Sequence, residues 1–494
     1  MIGSVANFRL ERRWVFYALA CLCLLMFSID MTIVAVALRT IVEDLDTSLS
    51  LAAWTMTGFM LTQTVVLPLI GKLGERFGQM RVFITCVSIF TLGSLICGLA
   101  PNIFVLIFCR VLQALGGAGF MTSATAIVAR EFPESRSRMI GLFASILPMG
   151  GVVGPNVGGY IIQHFGWREV FLVNVPIGAI AIPLLIWQSR ASGLLAAPKR
   201  TSRRPLDLKG SGLFAGAIVS ILLALTFLGD DPTFVTTAPF WGLFASGLIL
   251  MVVFVRHERR VLEPVIDLSL VTRHPFSVVN IFNFLFGFCV FGCFQFIPYY
   301  ASVQYGMSPL ESGAVLTPRS IAMIVMSTCT SLFLLRFGYR LPIVLGMAGM
   351  IFSMVVMGQG WDGFTLGSIE VGPFVLLALT VGVSGLAMGL FMPSSNNAAL
   401  DLLPEKIGAI AGLRQFFRQV GGMMGTAAIV VALSLSSDKA AGMREVYTVL
   451  GLLLIVTIPL AFLIPDAASE KRRAERLGHE PAAPGLVPAR PESR

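Results

Sequence analysis

The chain contains fourteen apolar runs, each long enough to cross a lipid bilayer, which restricts it to a membrane fold. A spanning α-helix needs about 20 mainly apolar residues. Backbone groups inside lipid have no water to bind, so we predict that every run is helical. The runs cover residues 14–39, 51–70, 82–100, 103–128, 139–162, 168–188, 210–228, 238–255, 275–300, 309–334, 341–358, 372–394, 407–434 and 446–464.

Composition supports this interpretation. Of 494 residues, 56% are hydrophobic and 13% are charged, whereas a soluble domain is about 25% charged. These values exclude a soluble enzyme, a disordered chain and a disulfide scaffold. The sequence contains no phosphate-binding loop, dinucleotide motif, nucleophile–base pair or metal-ligand cluster. We therefore predict no enzymatic activity, no cofactor and no metal.

The distribution of positive charge predicts the orientation of the chain. The net charge of +9 resides in short loops, which indicates membrane topology rather than a nucleic-acid partner. If the N-terminus is cytoplasmic, most Lys and Arg residues fall in inside loops. The outside segments hold Arg39, Arg168, Lys439 and Arg444. Both termini are therefore predicted to be cytoplasmic.

A short internal repeat predicts the domain organisation. Arg-Phe-Gly followed shortly by Arg occurs at residues 76–81 and again at 336–340, at matching places in two six-helix blocks. We predict an all-α protein of two six-helix bundles with an inserted helix pair. The segments are a cytoplasmic N-terminus 1–13, a bundle 14–188, a linker 189–209, the pair 210–255, a bundle 275–464 and a cytoplasmic tail 465–494.

Asp30 lies deep inside the first apolar run. A carboxylate at such a position costs about 2.5–3.5 kcal/mol on insertion scales, so we expect it to face a cavity or a partner. A proton carrier requires such an acid, because burial disfavours its charged form and access to it can alternate. A purely structural cap or ion pair is the alternative.

Arg110 is predicted to lie at a similar depth in the fourth run. It is seven residues, roughly 10 Å, from the outer end of that run. Asp30 precedes Arg39 by nine residues, or roughly 13 Å. If the first and fourth helices are neighbours, Arg110 can hold Asp30 ionised until a proton or substrate competes. A permanent salt bridge is the alternative.

A glycine-rich segment follows the second run, and we interpret it as a cytoplasmic loop. Its glycines permit a tight turn, and its charges can form ion pairs in one conformation and release them in another. A merely positive inside loop would not explain the glycine spacing. The residues concerned are Gly71, Gly74, Glu75, Arg76, Gly78 and Arg81.

The fifth run carries a stripe of small residues. Gly150, Gly154 and Gly158 recur every four residues and predict close packing of another helix. Pro155 within the stripe favours a kink, and Gly159 extends the small surface. Ordinary helix packing is the alternative to a functional role.

Three further arginines lie in late apolar runs. Arg319 follows Pro318 in the tenth run, while Arg414 and Arg418 share one face near the cytoplasmic start of the thirteenth. They can bind an anionic group, line a water-filled passage or contact lipid phosphates.

These residues resemble the major facilitator superfamily, and within it the fourteen-helix drug:proton antiporter-2 family of EmrB- and QacA-like exporters. Residues 71–81 resemble its motif A, with Glu75 in place of the usual Asp. Residues 150–159 resemble motif C, the antiporter motif, and Asp30 lies in a first-helix motif. The family's Asn and Pro in that motif are Ala35 and Arg39 here. Motif B is matched by Arg110, Gln113, Gly116 and Gly117.

The resemblance implies a proton-driven exporter of drugs or other lipophilic compounds in a bacterial inner (cytoplasmic) membrane, working by alternating access. Asp30 and Arg110 would then couple to protons, and the motif A segment would act as a gate. The alternatives are an exporter dedicated to one metabolite or lipid, a proton-coupled uptake carrier and a non-transporting sensor. A periplasmic adaptor partner is left open.

Overall fold

The computed structural model describes residues 2–191, 207–261, 264–366, 369–401 and 407–464. Within these ranges, fourteen helical segments are long and apolar enough to cross a membrane. The predicted all-α membrane fold and the predicted number of spans are therefore confirmed. The predicted linker 189–209 lies mostly outside the described residues, and the predicted tail 465–494 lies wholly outside them.

The helices alternate with short connections along the chain. The first half contains α1 (Ile2–Asp44), α2 (Leu49–Phe77), α3 (Gln79–Gly98), α4 (Ile103–Glu131), α5 (Arg136–Ala144), α6 (Ile146–Phe165), α7 (Glu169–Leu172), α8 (Asn174–Ala191), α9 (Leu208–Asp230) and α10 (Ala238–Glu258). Short 3₁₀ turns occur at Pro133–Ser135 and Pro232–Thr236.

The second half is more interrupted. It contains α11 (Leu268–Thr272), α12 (Phe276–Phe286), α13 (Gly292–Phe294), α14 (Ile297–Tyr305), α15 (Pro309–Ala314), α16 (Thr317–Phe337), α17 (Arg340–Gln359), α18 (Pro373–Leu400), α19 (Ile407–Leu435), α20 (Lys439–Leu453) and α21 (Thr457–Leu463). A π-helical turn, Gly287–Phe291, joins α12 to α13, and a 3₁₀ turn, Leu454–Val456, joins α20 to α21. A small antiparallel hairpin that was not predicted pairs β1 (Phe364–Leu366) with β2 (Ile369–Val371).

The chain forms two compact units. Unit 1 comprises Met1–Val265, Gln295–Thr317 and Thr426–Lys439, and unit 2 comprises Ile266–Phe294, Pro318–Gly425 and Ala440–Arg494. Unit 1 thus includes α14 and α15 from the second half of the chain. The division into two six-helix bundles and an inserted pair stays a prediction.

The interpretation of residues 71–81 as a loop is wrong. Helix α2 continues through Gly71 and Gly74 to Phe77, and α3 begins at Gln79. The single connecting residue is Gly78, whose φ of 97° suits glycine and few other residues. Polar composition marks where the chain leaves the bilayer, but a helix continues beyond that point when nothing in its sequence stops it.

An aromatic layer fills the interior of unit 1. Phe27 of α1 stacks on Phe120 of α4 at 5.5 Å between ring centroids, and Phe90 of α3 meets Phe120 edge-on at 5.1 Å. All three rings are buried. Because Phe27 precedes Asp30 by less than one helical turn, this layer packs directly beside the acid.

The glycine stripe of α6 packs against α1. A Cβ on Gly150, Gly154 or Gly158 would collide with Ser28, Thr32 or Ile33 respectively. Thr32 Oγ1 also donates to the Gly150 carbonyl at 3.3 Å, and Ser28 Oγ to the Leu147 carbonyl at 2.6 Å. Ser28 and Thr32 lie two residues to either side of Asp30. The face of α1 that contacts α6 is therefore opposite the face that carries Asp30.

A second surface of α6, which includes Gly159, packs against α15. A Cβ on Gly159 would lie 2.6 Å from the Pro309 carbonyl oxygen, and one on Gly313 would collide with the Pro155 carbonyl. Asn156 Nδ2 donates to Thr317 Oγ1 at 2.6 Å. The motif C residues are therefore contact surface on two sides of α6.

A polar cluster caps the start of α9. The Gly210 N–H donates to Asp207 Oδ1 at 2.8 Å, and His257 Nε2 lies 2.9 Å from the same oxygen. Burial raises the pKa of Asp207, but the hydrogen bonds from His257 and Gly210 together hold it below its usual value. The charged carboxylate therefore stabilises the contact between α9 and α10.

Candidate functional site

The structure brings Asp30 and Arg110 together in the interior of unit 1. Arg110 Nη1 lies 2.6 Å from Asp30 Oδ2, and each residue is only 1% exposed. Asp30 is supplied by α1 and Arg110 by α4. The helical rise predicts that both residues lie at similar depth. Because the two helices are in contact at that depth, the two side chains form an ion pair.

Neutral side chains complete the coordination of the carboxylate. Gln113 Nε2 donates to Asp30 Oδ1 at 2.8 Å, and Asn174 Nδ2 donates to the same oxygen at 3.1 Å. Gln113 and Asn174 both donate to Ser94 Oγ as well, at 2.7 and 3.3 Å. Gln113 Oε1 accepts from Arg110 Nη1 at 2.6 Å. The carboxylate thus accepts hydrogen bonds from three side chains.

Other contacts fix the guanidinium. Arg110 Nε donates to the Thr55 carbonyl at 3.1 Å. The ring of Phe59 lies under the guanidinium with its centroid 4.1 Å away, and that of Phe171 lies 5.5 Å away. A cation over an aromatic face in a water-poor site gains about 2 kcal/mol. Arg110 is therefore held in place independently of Asp30.

The network is built to accept charge on Asp30, because every contact made by its two oxygens is with a donor. A proton on this carboxyl group would remove the countercharge of a buried guanidinium. Breaking one side of a buried ion pair costs about 3–5 kcal/mol. The loss of either charge in this pair is therefore energetically unfavourable.

Close approach of α3 and α4 positions Gln113. A Cβ on Gly93 would lie 2.8 Å from the Gln113 Cα, and one on Gly116 would lie 2.6 Å from the Phe90 nitrogen. Gly117 packs against an α1 ring, with its Cβ position 2.8 Å from the ring. The glycines of motif B thus let α4 approach α1 and α3 closely enough to build the site.

Two members of the network were not found by sequence reasoning. Ser94 and Asn174 are both buried, at 0% and 1% exposure, and each contacts the Asp30 system. An uncharged serine or asparagine costs much less free energy inside a membrane than a carboxylate does. Its presence in an apolar run therefore does not by itself indicate a functional site.

The charged residues of motif A lie at the surface. Glu75, Arg76 and Arg81 are exposed. Arg76 stacks on the neighbouring Phe77 ring at 5.3 Å. Within the part of the chain that the structure describes, Glu75 makes no ion pair. The gating role of this segment stays a prediction.

Arg39, which stands where the family has proline, lets α1 continue to Asp44. Its Nη1 donates to the Ser302 carbonyl at 2.8 Å, and its Nε pairs with Glu43 at 2.8 Å. The departure from the family motif therefore adds a polar contact between α1 and α14 at the end of the helix.

The remaining predicted arginines lie in unit 2. Arg319 Nη2 contacts Met388 Sδ at 3.0 Å, and its guanidinium lies 4.3 Å from the Phe294 ring centroid. Its backbone packs against Gly385, where a Cβ would collide with it. Arg319 is thus held between α13 and α18.

Arg414 and Arg418 lie one turn apart on α19 and face α18. Arg414 Nη1 donates to Asn396 Oδ1 at 2.7 Å, and Nη2 donates to Ser395 Oγ at 2.9 Å. Arg418 contacts Gln415 and, through Nη1, Met392 Sδ at 3.4 Å. All of these partners are neutral.

Fourteen helices of membrane-spanning length, counted over the described residues, together with a buried ion pair in unit 1, define a multi-pass membrane protein. Comparison with known proteins identifies the family. The family model described as Major Facilitator Superfamily matches residues 18–426, so the chain belongs to that superfamily.

Individual relatives agree with this assignment. The chain is 32% identical over 402 residues to the multidrug transporter protein MdtP of Bacillus subtilis, covering 81% of this chain and 71% of MdtP. It is 31% identical over 432 residues to the methylenomycin A resistance protein of Streptomyces coelicolor, covering 86% and 87%. A crystal structure of the peptide transporter POT in complex with sulfate has a TM-score of 0.62 at 16% identity, covering 92% and 96%; this likeness concerns the fold alone.

Proposed function

We propose that this transporter exports lipophilic compounds in exchange for protons. It would lie in the cytoplasmic membrane of a bacterium with both termini inside. The names of its relatives, a multidrug transporter and an antibiotic resistance protein, support export of drug-like molecules. The distribution of Lys and Arg over alternate loops supports the orientation.

The buried pair of Asp30 and Arg110 is the observation that carries the proton coupling. In this proposal Asp30 alternates between two arrangements, one ionised and paired with Arg110, as in the 2.6 Å contact of this structure, and one protonated and released from Arg110. A proton arriving from outside competes with Arg110 for the carboxylate. The transporter would release substrate as Asp30 is neutralised and return to its starting state after losing the proton to the cytoplasm.

Helix α1 provides the mechanical connection in this proposal. One face of α1 carries Asp30 to Arg110, and the opposite face, with Ser28 and Thr32, packs on the glycines of α6. The glycines let α1 pack so closely on α6 that a displacement of α1 would be transmitted to α6. A change in the charge of Asp30 would therefore move α1 against α6, and α6 in turn contacts α15.

The surface charges of motif A belong to the same cycle. Glu75, Arg76 and Arg81 would form ion pairs in one end state of the transporter and lose them in the other. Exposed pairs contribute about 0–1 kcal/mol, which is enough to bias two states but not to lock one.

Two other transport functions remain as alternatives. An exporter dedicated to one metabolite would use the same proton site but accept a narrow range of compounds. An uptake carrier would move substrate and protons in the same direction, which the glycine stripe of the antiporter motif disfavours. Measuring several chemically unrelated dyes, with and without a candidate periplasmic adaptor, distinguishes the alternatives and tests for the partner.

The test uses dye transport in inside-out membrane vesicles that contain the protein. We expect the wild type to accumulate dye when a proton gradient is imposed and to release it when an uncoupler is added. Asp30→Asn keeps the size of the side chain but cannot carry the proton. This variant should lose accumulation against a gradient.

Asp44→Asn is the matched control. Asp44 lies on the same helix and pairs with Arg168 at 2.5 Å, but its side chain is 44% exposed. It should transport like the wild type. Uphill transport by Asp30→Asn that remains sensitive to the uncoupler would remove Asp30 from the mechanism.

A further inference from the structure

Three arginines of unit 2 line one face of α18. Their partners on α18 are Met388 for Arg319, Met392 for Arg418 and Asn396 for Arg414. The partners recur every four residues, so they lie on one face of the helix, each about 6 Å from the next. We call Arg319, Arg418 and Arg414 the arginine ladder.

The ladder is cationic and locally unneutralised. Among the described residues, none of the three guanidiniums pairs with a carboxylate. Asp401, near the end of α18, instead accepts a hydrogen bond from the Tyr339 hydroxyl at 2.5 Å. Each guanidinium also has a buried Nε–H that finds no acceptor among the side chains and backbone that the structure describes. Cations within membrane spans usually pair with an opposite charge or with backbone carbonyls, and the ladder therefore offers donors to an anion.

The depth of the arginine ladder in the membrane favours a substrate anion over a lipid headgroup as its ligand. Arg319 lies ten residues after Pro309 and fifteen before Leu334 in its span, which is roughly 15 Å and 22 Å from the two ends. A phosphate at the membrane surface cannot reach that depth. Arg418 and Arg414 lie eight and four residues from the start of the span at Ile410. The ladder therefore leads from the end of the span to the middle of the membrane.

The surroundings of the guanidiniums are apolar and adaptable. Phe294 lies 4.3 Å from Arg319, and Phe291 lies 5.2 Å from Arg418, measured from ring centroid to guanidinium carbon. Methionine thioethers are polarizable and fit ligands of varied shape. Such a site suits a molecule with one acidic group on an apolar, aromatic body.

We propose that the arginine ladder binds organic anions, so that lipophilic carboxylic acids are a substrate class of this transporter. The acid group would be bound by the guanidiniums, two N–H donors at a time, while the apolar body packs on the phenylalanine and methionine side chains. This inference rests on the proposed export function but not on its proton coupling, because binding to the ladder requires no gradient.

The experiment measures equilibrium binding of 1-pyrenebutyrate and of its uncharged amide to purified protein in phosphatidylcholine nanodiscs. Fluorescence polarization of the pyrene reports both. A hydrogen-bonded charge contact is worth enough to give the carboxylate at least about tenfold tighter binding than the amide. A parallel arm in nanodiscs containing phosphatidylglycerol tests whether anionic lipid competes for the same site.

Variants then assign the preference to the ladder. Arg418→Gln and Arg319→Gln should bring the two affinities to within about twofold of each other, because each removes one charged donor. Arg418→Lys should retain part of the preference. Arg273→Gln, which removes an exposed arginine of unit 2, should leave it unchanged. Amide binding serves in each variant as the measure of folding.

Equal binding of carboxylate and amide to the wild type would overturn the proposal and favour a water-filled passage. An unchanged preference in both glutamine variants would also overturn it. Displacement of 1-pyrenebutyrate by phosphatidylglycerol would reassign the ladder to lipid. Uphill transport by Asp30→Asn with an intact anion preference would overturn the proton coupling and leave this inference standing, so the two proposals can fail separately.

Discussion

Breaking the buried ion pair one partner at a time gives the sharpest test of its energetics. Arg110→Gln leaves Asp30 with Gln113 and Asn174 as donors but without a cation. Asp30→Asn leaves the Arg110 guanidinium with the Thr55 carbonyl, Gln113 Oε1 and aromatic rings. In each single variant an uncompensated charge is buried at a site that is 1% exposed in the wild type.

The burial determines the size of the effect. Removing one partner of a buried pair costs about 3–5 kcal/mol. The double variant Asp30→Asn/Arg110→Gln buries only neutral amides, which can hydrogen-bond to each other and to Gln113. We therefore expect the double variant to be less destabilised than either single variant, with a coupling energy of at least about 2 kcal/mol.

The assay is thermal unfolding of purified protein in detergent, in a complete double-mutant cycle. The pair Asp44 and Arg168 supplies the comparison, because it has a similar contact distance of 2.5 Å but exposed side chains. Its cycle should give about 0.2–1 kcal/mol, as measured for surface pairs. If the Asp30 and Arg110 variants are additive, or if both cycles give the same small value, the buried pair is not the strong electrostatic element argued above.

Two further predictions concern residues around this site and at the start of α9. Gly93→Ala should weaken proton-driven transport, because the added Cβ would lie 2.8 Å from the Gln113 Cα and displace a donor to Asp30; Gly212→Ala, where the Cβ meets no atom within 4 Å, should behave like the wild type in the same vesicle assay. Asp207→Ala should lower stability at pH 7 by about 1 kcal/mol through loss of the helix cap. Because the folded pKa of Asp207 is depressed, this difference should persist above pH 4 and shrink as pH falls through the folded pKa, measured by thermal unfolding at pH 7 and pH 3.5. An effect of Gly212→Ala equal to that of Gly93→Ala, or a pH-independent Asp207 difference, would contradict these expectations.

The fold and the ion pair could be predicted because each follows from a large free-energy cost, that of placing polar backbone or a charge in lipid, which is visible in the sequence of one segment. Apolar runs predict spans, since lipid permits few alternatives. The helical rise places Asp30 and Arg110 at similar depth, since it is nearly constant. Their contact was conditional on the first and fourth helices being neighbours, and the structure supplies that neighbourhood.

The remaining features depend on side-chain contacts that a single sequence does not specify. Ser94 joins the site only because Gly93 brings α3 close to α4. Residues 71–77 are helical although their composition is typical of a loop, because hydropathy reports the membrane boundary and not the end of a helix. The alignment of Arg319 and Arg418 along α18 joins two segments about 100 residues apart, and no pattern within either segment indicates it.

Proton movement measured directly in proteoliposomes tests the central claim. With purified protein and a pH dye trapped inside, addition of a transported lipophilic compound should drive protons in the direction opposite to the compound. The account predicts this counterflow in the wild type and in Asp44→Asn, and its loss in Asp30→Asn. Counterflow of equal size in Asp30→Asn would contradict the account, because the buried carboxyl group would then not be the proton carrier.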